Sequence, residues 1–202
     1  MPNNTDCRLV SRACTRGLLL ALGLFLASGI THAAWESKDL LDLLAKQKSG
    51  RASFVEKKYI GILDKPVESS GTLAFTAPDK LEKRTLKPRA ELLRLEGDAL
   101  YIEQAGKKPM NLSLASYPEV AAFVDSIRAT LAGDRTALEK SYELSLQGSA
   151  EKWQLILLPK YSRMSDLLSR IVIRGRQGDV LNIDFDLADG DRSEMLITKV
   201  AP

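Results

Sequence analysis

Histidine and cysteine are almost missing from this sequence. Among 202 residues there are two cysteines and one histidine, Cys7, Cys14 and His32, and all three lie in the first 33 positions. That segment has the form of a secretory signal. Arg8, Arg12 and Arg16 make a positive start, Gly17 to Ile30 is almost wholly apolar, and Thr31-His32-Ala33 offers a small residue at a cut before Ala34. The apolar run is about 14 residues, short of the ~20 that a membrane-spanning helix needs. Cleavage near Ala33/Ala34 would leave a mature chain without histidine or cysteine. Ser-His-Asp and Cys-His catalysis, N/S zinc sites, histidine-ligated haem and an intrachain disulfide are then excluded. No lipobox cysteine remains to be acylated, so a soluble product in an oxidising compartment is expected, with no integral membrane segment.

Strong charge is missing as well. The 29 Lys+Arg and 26 Asp+Glu fall to 26 and 25 once Arg8, Arg12, Arg16 and Asp6 are removed with the signal. A body this near neutrality is a poor match for nucleic acid. There is no Walker-type glycine-rich loop and no Gly-x-Ser-x-Gly elbow. Ser149-Ala-Glu-Lys152 has Ser-x-x-Lys spacing but reads as a polar turn between strands. No cofactor or metal site is indicated.

What remains is mainly β pattern. Trp35–Lys48 reads as a helix, with Ser37 as a cap candidate. Alternation then predicts strands at Arg51–Leu63, Val67–Thr76, Leu81–Leu86, Glu91–Glu96, Leu100–Gln104 and Met110–Leu114. A second helix runs from Tyr117-Pro118 to Gly133. After a short turn at Arg135–Lys140, strands resume around Tyr142–Leu146, Trp153–Pro159, Ile171–Arg174, Val180–Leu187 and Ser193–Val200. A helical turn is expected at Met164–Leu168, and Asp189-Gly190 signals a hairpin. Short turns between so many strands imply one antiparallel meander of about eleven, curled strongly, with helices against its concave face.

Several local patterns then suggest a family. They are Ala52-Ser-Phe-Val-Glu56, Ser70-Gly-Thr-Leu-Ala-Phe-Thr-Ala-Pro-Asp-Lys-Leu81 and Glu96-Gly-Asp-Ala-Leu-Tyr101. Trp153–Lys160 and Asp189-Gly-Asp-Arg-Ser193 complete the series. In order and spacing the chain resembles the periplasmic lipoprotein carriers called LolA, over nearly all of residues 36–200. The resemblance implies an unclosed half-barrel of about eleven strands with helices as a lid, residues 34–202 forming this one domain. It implies a cavity that holds the acyl chains of a lipoprotein or other lipid, an inner-membrane transporter as donor and an outer-membrane acceptor. The carriers typically place an arginine just before the proline of the Gly-x-Leu segment to hold the lid closed; here that position is Ala77.

From pattern alone the apolar positions describe an ordinary closed core. The resemblance turns them into cavity lining: Phe54, Leu73 and Phe75; Leu93, Leu95 and Tyr101; Trp153, Leu155 and Leu157; Ile183 and Phe185. Val120, Val124, Ile127 and Leu131 would form the lid. A basic run containing Lys80, Lys83, Arg84 and Lys87 is read either as a solvated strand face or as a surface for an acidic partner or a lipid headgroup. Asp184, Asp186, Asp189 and Asp191 miss calcium-loop spacing by one residue and read as an outer face with a turn. An alternative function is a sensory module of the same fold, as in RseB-like proteins. A hydrolase using the aspartates is a more distant one.

Overall fold

The computed structural model describes residues 35–200; the expected signal and its cut lie outside them. The chain begins with helix α1 (Ser37–Leu44), followed by strands β1 (Ser49–Tyr59), β2 (Val67–Thr76), β3 (Lys80–Lys87), β4 (Glu91–Glu96), β5 (Ala99–Gln104) and β6 (Met110–Ser113). Helices α2 (Pro118–Ala132) and α3 (Arg135–Ser141) come next. Then follow β7 (Tyr142–Ser149), β8 (Lys152–Pro159), the short α4 (Ser162–Ser165), β9 (Leu168–Arg176), β10 (Asp179–Leu187) and β11 (Arg192–Lys199). All eleven strands form one sheet in the order β6-β5-β4-β3-β2-β1-β11-β10-β9-β8-β7. Every neighbouring pair is antiparallel. The sheet has two free edges, β6 and β7, and is therefore an unclosed half-barrel, as the resemblance implies, built from the antiparallel meander that the strand pattern predicts.

Several boundaries differ from the sequence expectation. β1 stops at Tyr59 rather than Leu63, because Leu63 N–H bonds back to the Ile60 carbonyl at 2.8 Å and turns the chain. α1 is shorter than Trp35–Lys48, and its first turn is closed by the Asp39 carboxylate accepting from Glu36 N–H at 2.9 Å rather than by Ser37. The segment expected as a turn at Arg135–Lys140 is a true helix, capped by Asp134, whose carboxylate accepts from Ala137 N–H at 2.9 Å.

One part of the concave face is densely filled. Leu40, Leu41 and Leu44 from α1 and Leu138 from α3 are buried in one cluster with Tyr142, Trp153, Leu155, Leu157, Ile171 and Ile173. The same cluster continues to Phe54, Ile183, Phe185, Met195 and Ile197 at the middle of the sheet. The opposite face of β9 and β10 carries ion pairs, Arg170–Asp186 at 2.5 Å and Arg174–Asp184.

α2 is tied to α1 at its end. Gly133 is left-handed (φ 70°), and a Cβ there would lie 2.2 Å from the Leu41 carbonyl oxygen of α1. Gly133→Ala combines a strained φ with this collision. It is expected to cost about 2–3 kcal/mol and lower the thermal midpoint, measured by circular dichroism.

Candidate functional site

Between α2 and the sheet lies a cavity of about 650 Å³, within the ~300–1,000 Å³ typical of ligand pockets. α2 supplies a stripe at helical spacing, Val120, Phe123, Val124, Ile127 and Leu131. The sheet supplies Leu73 and Phe75 from β2, Leu81 from β3, Leu93 and Leu95 from β4, and Leu100 from β5. Val180, Ile183 and Phe185 from β10 and Met195 and Ile197 from β11 complete the apolar wall. The Phe123 and Phe185 rings meet at 4.4 Å between centroids, tilted by 42°. Val120 and Phe123 are more than a third exposed, so the cavity has an open rim at the start of α2.

α2 is fixed over this hollow by Arg128. Its guanidinium donates to the Gly97 carbonyl in the β4–β5 turn at 2.7 Å and meets Asp125 of its own helix at 3.3 Å. The helix-to-sheet tie thus comes from the lid side, while Ala77 on the sheet side offers no charge.

Ten of the fifteen expected lining residues surround this cavity: Leu73, Phe75, Leu93, Leu95, Val120, Val124, Ile127, Leu131, Ile183 and Phe185. Five do not. Trp153, Leu155 and Leu157 are in the filled part of the sheet, packed with α1 and α3, and Phe54 is likewise buried in the core. Tyr101 is on the other face of β5. Register pairs it with Arg94, whose guanidinium lies 5.9 Å from its ring, and its hydroxyl donates to Glu103 at 3.0 Å. The sequence reading missed Leu81, Leu100, Phe123, Val180, Met195 and Ile197. Parity in the paired strands would have found Leu100, since Leu95 lies opposite it.

Lys83 also departs from expectation. It does not join a surface docking patch; its side chain turns to the concave face and bonds Glu56 at 2.6 Å, with its ammonium 4.9 Å from the Phe54 ring centre. Lys80 and Arg84 do face outward, in exposed ion pairs with Glu96 and Glu82, and Lys87 is exposed. Asp191 accepts from Gly61 N–H at 2.8 Å and Asp189 from Asp191 N–H at 3.0 Å, so these carboxylates hold turns. No cluster of potential metal ligands occurs among the described residues.

Among the described residues, Glu56 is the one deeply buried charge at this site, 4% exposed. Besides Lys83 it accepts hydrogen bonds from Ser69 (3.2 Å) and Ser193 (2.8 Å), and Lys58 stands 3.7 Å away. Burial alone would raise its pKa. The Lys83 charge and hydrogen bond, the Ser193 hydroxyl and Lys58 together outweigh burial and hold it below the ordinary 4.5.

A curled open sheet roofed by a helix over an apolar cavity defines a class, the half-barrels with an internal binding space. The family described as "Outer membrane lipoprotein carrier protein LolA-like" matches residues 30–202, and the chain belongs to it. The outer-membrane lipoprotein carrier proteins of Cupriavidus taiwanensis and Cupriavidus necator are 29% and 31% identical to it over 124 residues. Each match covers 57% of this chain and 56% of the relative, so the chain spans about half the length of these relatives. A LolA superfamily protein from Nitrosomonas europaea superposes with a TM-score of 0.43 at 11% identity, covering 84% of this chain and 95% of that one. The Pseudomonas aeruginosa MucA/MucB complex gives 0.36 at 18% identity, over 82% of this chain and 58% of that one.

The Glu56–Lys83 pair makes stability depend on acid. A carboxyl with a lowered folded pKa binds protons more readily when unfolded, so its contribution is complete above the unfolded value near 4.5 and fades as pH falls through the folded value. Denaturant melts should show a loss of stability below that pH in the wild type and a flatter profile in Glu56→Gln. At neutral pH Lys83→Met, which strands the Glu56 charge, should cost about 3 kcal/mol.

Proposed function

We propose that this protein is a periplasmic carrier that shields the acyl chains of a lipoprotein or other lipid between the inner and outer membranes. The observation that carries this reading is the apolar cavity under α2. Family membership and the carrier relatives support it, and so does the secretory form of the first 33 residues. The reading is binding without chemistry: the buried Glu56 carboxylate is tied up by Lys83, Ser69 and Ser193.

The physics of such a cargo is simple. Burying a methylene contributes about 0.8 kcal/mol, so ten of them supply ~8 kcal/mol, equivalent to a micromolar dissociation constant before any polar contact. Transfer needs reversible holding, and the open rim at Val120 and Phe123 gives the chain a way out. In this reading an inner-membrane transporter loads the cavity and an outer-membrane acceptor empties it. Lys80, Arg84 and Lys87, which face outward, are the surface assigned to an acidic partner.

Val124→Glu puts a carboxylate on the cavity side of α2. It should weaken binding of an environment-sensitive fatty-acyl probe at least about tenfold while the far-ultraviolet spectrum stays unchanged. Unchanged affinity would remove α2 from the binding site.

A further inference from the structure

A second hollow of about 230 Å³ adjoins the apolar cavity. The two share Glu56, Lys58 and Lys83 as a common wall. The smaller one is closed by Pro88, Arg89 and Ala90 of the β3–β4 turn and by Gln104 and Lys107 at the end of β5. These turns are held together by Ala105 N–H donating to the Ala90 carbonyl at 3.1 Å.

Its charge is unbalanced. Lys58, Lys83, Arg89 and Lys107 face it, against Glu56 and Glu91. Both carboxylates are already engaged: Glu56 by Lys83, Ser69, Ser193 and Lys58, and Glu91 by the Gln104 amide at 2.5 Å. Among the described residues, Arg89 and Lys107 have no carboxylate partner. Arg89 and Lys107 are both exposed at the rim of this concavity, and an anion held there would neutralise its excess positive charge. At the shared wall the Lys83 ammonium bonds Glu56 and lies 4.9 Å from the centre of the Phe54 ring, which itself lines neither hollow.

We propose that the smaller hollow is a headgroup subsite, and that the cargo is an anionic amphiphile with a carboxylate or phosphate head. Its tail lies in the apolar cavity under α2. Arg89 and Lys107 contact the head by charge-assisted hydrogen bonds, with Lys58 at the junction. A neutral ester or alcohol head leaves those cations unpaired. This inference rests on the carrier reading and narrows its cargo.

Isothermal titration at pH 7 compares dodecanoate, 1-dodecanol and inorganic phosphate on the wild type and on an Arg89→Gln/Lys107→Gln double variant. Both substitutions are in surface turns, where effects on stability are small. Dodecanoate is ionised at this pH. It should bind the wild type about tenfold more tightly than dodecanol, the worth of a hydrogen bond to a charged group. The double variant should lose that preference and keep the wild-type affinity for dodecanol. Equal binding of acid and alcohol by the wild type, or a preference intact in the double variant, overturns the headgroup subsite and leaves the carrier reading standing. Phosphate binding as tightly as dodecanoate shows a free-anion site and overturns the link between head and tail. Failure of both amphiphiles to bind defeats the carrier reading itself, and this inference with it.

Discussion

The antiparallel pairing of β1 with β11, from Ala52 opposite Lys199 to Tyr59 opposite Arg192, joins two meanders that would otherwise be separate sheets. β1 also pairs with β2 along nearly its whole length, so it is the central strand of the eleven. Glu56 reinforces this seam from the concave side. Its carboxylate reaches Ser193 on β11, Ser69 on β2 and Lys83 on β3, so one buried anion ties four strands together. Removing any one of those partners leaves part of a buried charge uncompensated, which is costly at low local dielectric. The curvature that makes a cavity possible depends on this join.

A sheet curled this far has more concave surface than three helices can fill tightly. The chain divides the task. α1 and α3 press their leucines onto Trp153, Leu155, Leu157 and their neighbours and close that part to a packed core. α2 spans the remainder, and both of its ties lie toward its C-terminal end, Gly133 close against α1 and Arg128 on the β4–β5 turn. The filled part stabilises the fold and the hollow part is free to take a guest. In the proposed carrier reading, the polar hollow beside Glu56 gives that guest a direction, with its tail toward α2 and its head toward Arg89 and Lys107.

The strand count and the extent of the long helix were legible because alternation and turn residues are local signals, while the open sheet and the place of that helix as a lid came from the family resemblance. The division of the concave face was not. Trp153, Leu155 and Leu157 alternate just as Leu93 and Leu95 do, and only the positions of α1 and α3 decide which set is packed and which lines space. Tyr101 was misplaced through the phase of one short strand. The inward turn of Lys83 was hidden by its charged neighbours, although it shares a strand face with Leu81. Met195 and Ile197 were missed because the intervening Leu196, which is exposed, blurs the alternation. Glu56 reads as an ordinary surface residue until β2, β3 and β11 are in place around it.

The central claim is that the space under α2 holds an acyl chain. Native mass spectrometry of the protein recovered from a periplasm without detergent, followed by organic extraction, tests it most directly. The account predicts a bound acylated species that is released on extraction. A clean unliganded mass, with no uptake of added fatty-acyl probe, would contradict it.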